Sequence, residues 1–443
     1  MARPSATKAL ELVSLVITDY AGIARGRSLS RTVYEKNPAK TLGWVPANMS
    51  LTPFDLIADP NPWGARGDLR LQADPTARFR TALPGTAAFD IVMADILELD
   101  GSPWECCPRA FLKTAIADLK AETGLTLIAS FEHEFQILGA GWPPAPCFSL
   151  SSLRRAEPFA TNLMAALTEA GLEPEVFIAE YGPDQYEVPL APTDALAAAD
   201  RAVAFRALVR ECARLQGWRA SFAPKTAPEG VGNGVHIHMS LTDGRGRPAA
   251  YDAARPGRLS AAAGAFAAGI LQHMPALVAL TAPGPVSYFR LAPHHWSAAY
   301  TQLGESDREA SLRICPAHTI GGARPEKQFN LEYRAADATA SPHLALGLLI
   351  RAGLEGLRQK RAAPMLYSGD PTTLDDGERQ RLGLHRLPAS LGAALDAFAA
   401  DATACAWFTP RARETYTGMK RMELKLTADL DPQALCAKYS EIY

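Results

Sequence analysis

Carboxylates and imidazoles stand in this chain where strands should be. Glu132, Glu134, Glu180, Glu187, Glu332, His236 and His238 all lie in stretches whose other residues are mostly apolar. Side chains two apart on a strand share a face. Glu132 therefore goes with Glu134, and His236 with His238 and Ser240, while Val235, Ile237, Met239 and Leu241 take the opposite face. Any one of these groups alone suits a solvated strand face. Gathered in one sheet they need a compensating charge, because an unpaired buried ion carries a heavy desolvation cost. A hard divalent cation supplies it, and Mg²⁺ or Mn²⁺ accepts carboxylate mixed with imidazole.

A second group is cationic. Arg290, Arg308, Arg313 and Arg334 follow one another within a short span, and the guanidinium fork matches carboxylate and phosphate. Upstream, the loop 222–234 carries Lys225 and glycines at 230, 232 and 234, where backbone can approach a ligand closely. Cation ligands, arginines and a glycine-rich loop are the parts of a phosphoryl-transfer site. The pattern GxxxxGK(S/T) is absent, which excludes a P-loop. These residues point to a metal-dependent enzyme that uses a nucleotide phosphate and binds a carboxylate.

Strands are predicted at 12–19, 90–96, 125–138 and 235–241, with a strand pair over 177–188. Helices are predicted at 109–123 (Pro108 before, Gly124 after), 155–170, 193–216, 260–280, 342–358 and through the last sixty residues. The Pro- and Gly-rich run 59–64 and residues 367–378 read as surface loops. A boundary at 107 divides the chain into domains 1–107 and 108–443. The 443 residues leave ample core for both. Lys plus Arg number 45 against 47 Asp plus Glu, so no basic excess suggests nucleic acid or an anionic membrane. No 18-residue apolar run is found, and the opening Met-Ala-Arg-Pro-Ser lacks a secretory core. Seven cysteines without metal-type spacing read as reduced thiols in a cytoplasmic protein. Cys106 and Cys107 are expected to be ordinary buried residues.

Six motifs, in this order, resemble the glutamine synthetase family. They are Glu132-His-Glu134-Phe135; Glu180-Tyr-Gly-Pro-Asp-Gln-Tyr-Glu187; Phe222-Ala-Pro-Lys225 with Gly232-Asn-Gly-Val-His236-Ile-His238-Met-Ser240; Ser287-Tyr-Phe-Arg290-Leu-Ala-Pro293; Arg308-Glu-Ala-Ser-Leu-Arg313; and Glu332-Tyr-Arg334-Ala-Ala-Asp337. Gly67-Asp68 and Asp74-Pro75-Thr76 look like the acidic stretch ahead of the family's catalytic domain. The resemblance implies an α+β fold: an N-terminal β-grasp domain, and a catalytic domain whose curved antiparallel sheet is flanked by helices. It implies a ring, a dodecamer of two stacked hexamers or a decamer, with each site completed by the neighbour's N-terminal domain. It implies ATP and two or more Mg²⁺ or Mn²⁺ per site. Glu134, Glu180 and Glu187 would hold the cation nearer the acid, and Glu132, His236 and Glu332 the one bridging ATP. His238, Ser240 and Lys225 would lie on the nucleotide side. The loop Gly232-Asn233-Gly234 with Arg290 and Arg334 would take glutamate, and Arg308 and Arg313 the phosphates. ATP then phosphorylates the γ-carboxylate of glutamate, and an amine displaces the phosphate.

The departures bear on the amine. Where ammonia-using members carry a glutamate after Arg290, this chain has Trp296, within His294-His295-Trp296. An indole cannot take up a proton as a carboxylate does, but it can receive an alkyl chain or a cation. The resemblance therefore shifts toward γ-glutamyl-amine ligases such as γ-glutamylpolyamine synthetases, with His295 or Glu180 to deprotonate the amine. Phe54-Asp55 is the nearest candidate for the family's N-terminal ammonium carboxylate. Asn233, Asp184, Asp307 and Asn330 stand where the family has serine, glycine, asparagine and arginine. No adenylylation-type tyrosine segment is evident. Glutamine synthetase proper and a non-catalytic binding member are the alternative readings.

Overall fold

The computed structural model describes residues 11–443, so the opening Met-Ala-Arg-Pro-Ser lies outside the described residues. Among them, β1 (Leu12–Thr18), β2 (Ala24–Ser30), β3 (Leu42–Trp44), β4 (Leu69–Thr81) and β5 (Phe89–Leu97) form a five-stranded sheet. Its order is β2-β1-β5-β4-β3, with β1 and β5 parallel and the other neighbours antiparallel. The two apolar runs that predicted strands are this parallel pair. The edges escaped prediction: β2 reads Ala-Arg-Gly-Arg-Ser-Leu-Ser and is largely exposed, as suits an edge that must not recruit another strand. Residues 59–64 are loop, as expected. β4 slips register between Ala73 and Arg78, where Pro75 has no N–H to give the ladder.

The larger sheet holds nine strands among the described residues: β6 (Thr126–Leu138), β7 (Ile178–Ala179), β8 (Gln185–Glu187), β9 (Thr193–Asp194), β10 (Arg219–Ser221), β11 (Val235–Thr242), β12 (Leu303–Glu305), β13 (Leu312–Ile314) and β14 (Leu331–Ala336). The main path runs β12-β13-β14-β11-β6-β8-β7, with β9 and β10 also paired to β6. Only β12 and β13 run parallel. Along β11 the alternation holds as predicted, with Val235, Ile237, Met239 and Leu241 buried.

Helices Pro108–Thr123, Ala195–Leu215, Ala261–Thr281 and Pro342–Arg358 lie where predicted. Their ends explain why: Gly124 turns left-handed at φ 70°, and Asp194, Ser260 and Ser341 each accept an N–H of the first turn. The helix predicted over 155–170 is instead two, Leu150–Arg155 and Phe159–Glu169. Pro158 supplies no N–H and disfavours a helical residue before it. The stretch 367–378 carries a single turn, Pro371–Thr373, and starts the helix Asp376–Leu382 behind the capping residue Asp375. The reading of apolar runs also needs correcting. Ala261–Thr281 is long and apolar enough to cross a membrane, yet 78 % of its apolar window is buried inside the protein. It is a core helix. Cys106 and Cys107 are buried and free, as expected.

Candidate active site

Register brings the predicted ligands together. His236 lies opposite Glu132, His238 and Arg313 opposite Glu332, and Glu134 opposite Glu187. Glu132, Glu187 and His236 each offer a ligand atom, all within 4.8 Å of one another. His236 Nδ1 is 3.3 Å from Glu132 Oε1, and His238 Nε2 is 3.0 Å from Glu132 Oε2. Burial works to raise the Glu132 carboxyl, but these imidazole hydrogen bonds outweigh it and hold it well below the usual range. Glu187 goes the other way, pushed well up by burial and then by the charges of Glu132 and Glu134. Glu180, just beyond β7, is pushed up to about 7 by burial and Glu134. Among the described residues no side-chain cation comes within 4.0 Å of Glu180 or Glu187. Crowded oxygens beside an imidazole, with Glu180 and Glu187 out of reach of any side-chain cation among the described residues, fit a divalent ion.

Glu332 differs. It accepts from Arg313 Nη1 at 2.8 Å and from Arg334, and Cys315 Sγ lies 3.4 Å away. Burial opposes its ionisation, yet His236, Arg334, His238 and Arg313 bring its pKa down to about 2. Arginines thus supply part of the compensating charge that the sequence assigned wholly to metal. Glu134 gives an oxygen to the Gly234 N–H at 2.5 Å. Of the six expected ligands, three converge, and the other three flank them with separate partners or none.

Arg290 is buried across Gly232 and Gly234. A Cβ on Gly232 would stand 3.0 Å from Arg290 Cγ, and one on Gly234 would collide with the guanidinium. Arg290 Nη2 donates to the Arg334 carbonyl at 2.9 Å. Arg290 Nη1, Arg313 Nε and Arg334 Nε are buried without partners. Such a donor costs about 1–3 kcal/mol while unmet, and incoming carboxylate or phosphate oxygens would meet it. Arg308 is exposed, and its charge acts on Glu180.

Three residues expected to face ligand are engaged within the protein. Lys225 Nζ donates to Gly230 O at 2.5 Å and is 3 % exposed. The Asn233 amide bridges Ala223 O at 2.8 Å and Gln185 Nε2 at 2.9 Å. Ser240 Oγ donates to Phe329 O at 2.9 Å. A buried glycine-rich loop has backbone groups that need partners, and Lys225, Asn233 and Gln185 provide them. Gln185 and Cys315 were missed as site residues, and Asn330, noted only as a departure from the family's arginine, lies 2.9 Å from His238 Nδ1. Gln185 had a signal in its place inside a matched motif, and Cys315 had none.

The loop after Arg290 turns through two left-handed residues, His294 at φ 64° and Trp296 at φ 54°. Glu309 accepts the N–H of both, at 3.1 Å each, and Arg334 Nη2 donates to the Trp296 carbonyl at 3.2 Å. Trp296 is left 71 % exposed while its carbonyl meets the Arg334 of the Glu332–Arg334 pair, and His295 is also exposed. Asp55 instead sits at φ 58° and takes Arg25 Nη1 at 2.8 Å.

A family model of the glutamine synthetase N-terminal domain matches residues 2–104, and one of the catalytic domain matches residues 105–434. The chain belongs to the glutamine synthetase family. Members of this family use ATP and divalent metals, and this chain is an ATP-dependent ligase. The gamma-glutamylpolyamine synthetase GlnA3 of Streptomyces coelicolor is 33 % identical to it over 96 % of this chain and 92 % of its own. The glutamine synthetase of Thermococcus kodakarensis is 32 % identical over 88 % and 84 %. A novel glutamine synthase homolog of known crystal structure superimposes with a TM-score of 0.92 at 46 % identity over the whole of both chains. Ligand-free GmaS superimposes with 0.79 at 24 % identity over 95 % of each, a likeness of fold alone. The α+β arrangement, β-grasp then curved sheet with flanking helices, is the glutamine synthetase fold that the motifs implied.

Proposed function

We propose that this ligase joins the γ-carboxylate of glutamate to an organic amine or polyamine, through γ-glutamyl phosphate. The observation that carries the reading is Trp296, an exposed indole where ammonia-using members have a carboxylate. Similarity to a gamma-glutamylpolyamine synthetase over nearly the full chain supports it.

Glu132, Glu187 and His236, with Glu134, Glu180 and Glu332 around them, would hold two or more Mg²⁺ or Mn²⁺. Bound there, the ions supply charge neutralisation at the phosphate oxygens during transfer. Arg290 and Arg334 orient glutamate through their unmet N–H groups, while Arg313 and Arg308 meet phosphate. His238 lines the nucleotide side. A γ-carboxylate oxygen attacks the γ-phosphorus of ATP and ADP leaves. The amine nitrogen then attacks the acyl carbon, the C–N bond forms as the C–O bond breaks, and inorganic phosphate departs. The amine's proton passes to Glu180 or His295. A domain boundary at 107, a dodecamer of two stacked hexamers with sites at subunit interfaces and a cytoplasmic setting belong to the same reading.

Phosphate release from ATP, with Mg²⁺ and L-glutamate, tests it against ammonium, methylamine, ethanolamine, putrescine and spermidine in parallel. An organic amine is expected to outpace ammonium. Turnover with ammonium alone would establish glutamine synthetase proper, the second reading, which the archaeal glutamine synthetase relatives favour. ATP binding without turnover in any well would leave a non-catalytic member.

A further inference from the structure

We infer that Glu309 and Trp296 together form the receiving site for the distal ammonium of a diamine or polyamine. This rests on the organic-amine reading above and deepens it, since it specifies a second positive charge on the substrate.

Glu309 sits on the short link between β12 and β13. Its own N–H donates to Asp307 Oδ1 at 2.9 Å, and Asp307 Oδ2 accepts from Gln302 Nε2 at 2.9 Å, so the backbone beneath it is fixed. Each Glu309 oxygen accepts one backbone N–H, from His294 and Trp296 respectively. A carboxylate oxygen has room for two such bonds, so each keeps one acceptor direction. Among the described residues Glu309 has no ion-pair partner. It contrasts with Glu332, which two arginines neutralise, and with Glu132, which two imidazoles meet. The residue whose N–H it holds carries the exposed indole, so a fixed anion on one loop is tied to the loop that carries the aromatic face. That pairing recognises alkylammonium: the carboxylate meets the charge, and the ring covers the methylenes or stacks under the cation. Glu309 is not among the converging Glu132–Glu187–His236 trio, so it need not compete with metal for the same oxygens. One nitrogen of a diamine rests here in its charged form while the other, having lost its proton, attacks the acyl phosphate.

The test compares Glu309→Gln with wild type on putrescine, n-butylamine and hydroxylamine, with ATP, Mg²⁺ and glutamate. Butylamine keeps the chain but lacks the second charge, and hydroxylamine is an uncharged nucleophile at neutral pH. Wild type is expected to show a KM for putrescine at least tenfold below that for butylamine. Glu309→Gln should raise the putrescine KM to the butylamine level, leaving hydroxamate formation and the KM for glutamate unchanged. Trp296→Leu should raise the KM for both organic amines alike. An unchanged putrescine KM in Glu309→Gln overturns the inference. So does an equal loss with all three nucleophiles, which would show that Glu309 only props the loop. Failure of the organic-amine reading itself is seen separately, as wild type turning over neither putrescine nor butylamine, and it removes this inference with it.

Discussion

Glu187 is a charge without a counterion, and its surroundings set a testable sign. Burial, Glu132 and Glu134 raise its pKa above that of an unfolded glutamate, so its ionised form opposes folding at neutral pH. Glu187→Gln should therefore raise the melting temperature of the metal-free protein at pH 7.5, with a gain on the order of 1 kcal/mol. The same change should weaken Mn²⁺ binding about tenfold or more if, as proposed, Glu187 is one of the three converging groups that hold the ion. Thermal melts with and without Mn²⁺ read both effects, and an undiminished Mn²⁺-induced rise would remove Glu187 from the ligand set. At this scale the sequence was most informative about residue type and strand face. Glu309 and Cys315 stayed hidden because their partners stand 13 and 17 residues away, beyond any helix or strand period that could connect them.

Helices show how a sequence announces its ends more clearly than its contacts. An apolar run placed Ala261–Thr281 and a capping serine with proline placed Pro342–Arg358, each to within a residue, but not the closeness of their crossing. A Cβ on Gly356 would overlap the Ala265 carbonyl oxygen and approach Gly269 N to 2.8 Å; one on Gly269 would overlap the Ala352 carbonyl. The backbones touch there, and no side chain can move aside. Gly356→Ala is expected to cost about 3 kcal/mol or more, at or beyond the upper end of ordinary overpacking. Chemical denaturation measures it, and a loss below about 1 kcal/mol would mean the helices part easily. The mistaken single helix over 155–170 has the converse cause: apolar spacing continues through Pro158, while the backbone cannot.

Across the whole molecule the first sheet is joined to three helices by an ionic hub. Arg109, 3 % exposed, gives Nε and Nη2 to Asp200 at 2.9 and 2.8 Å, Nη1 to Asp95 at 3.2 Å and Nη2 to Asp74 at 2.7 Å. His343 Nε2 adds a contact to Asp200 at 2.7 Å. Asp74 and Asp95 belong to β4 and β5 of the first sheet; Asp200 and His343 lie on helices Ala195–Leu215 and Pro342–Arg358. Asp74, expected only as part of an acidic stretch, thus ties the N-terminal sheet to the rest. Removing the guanidinium strands the buried Asp200 carboxylate and the half-buried Asp74 and Asp95, so Arg109→Met should cost about 3–5 kcal/mol. Burial tends to raise Asp200, but His343 and Arg109 outweigh it and leave the pKa below 3.8. With the folded pKa below the unfolded one, this contribution is complete above about pH 4 and is lost as pH falls through the folded value. Asp200→Asn should lower the melting temperature at pH 7 and flatten its fall between about pH 4 and pH 2. An acid limb as steep as that of wild type would put the titrating group elsewhere.

What the sequence determined by itself was the kit and its local frames: which residues could ligate, which share a strand face, where the capped helices begin and end, and the family that those motifs spell out. These follow from chemistry and periodicities only a few residues long. The tertiary structure decided which members of the kit converge. It gave Glu332 to arginines, turned Lys225 and Asn233 inward to hold a glycine-rich loop, and set Glu309 against the backbone of the Trp296 loop. Each outcome depends on register between strands far apart in the chain, or on burial that forces a polar group to find a partner. Both are properties of the assembled sheet, because neither exists until distant strands have paired.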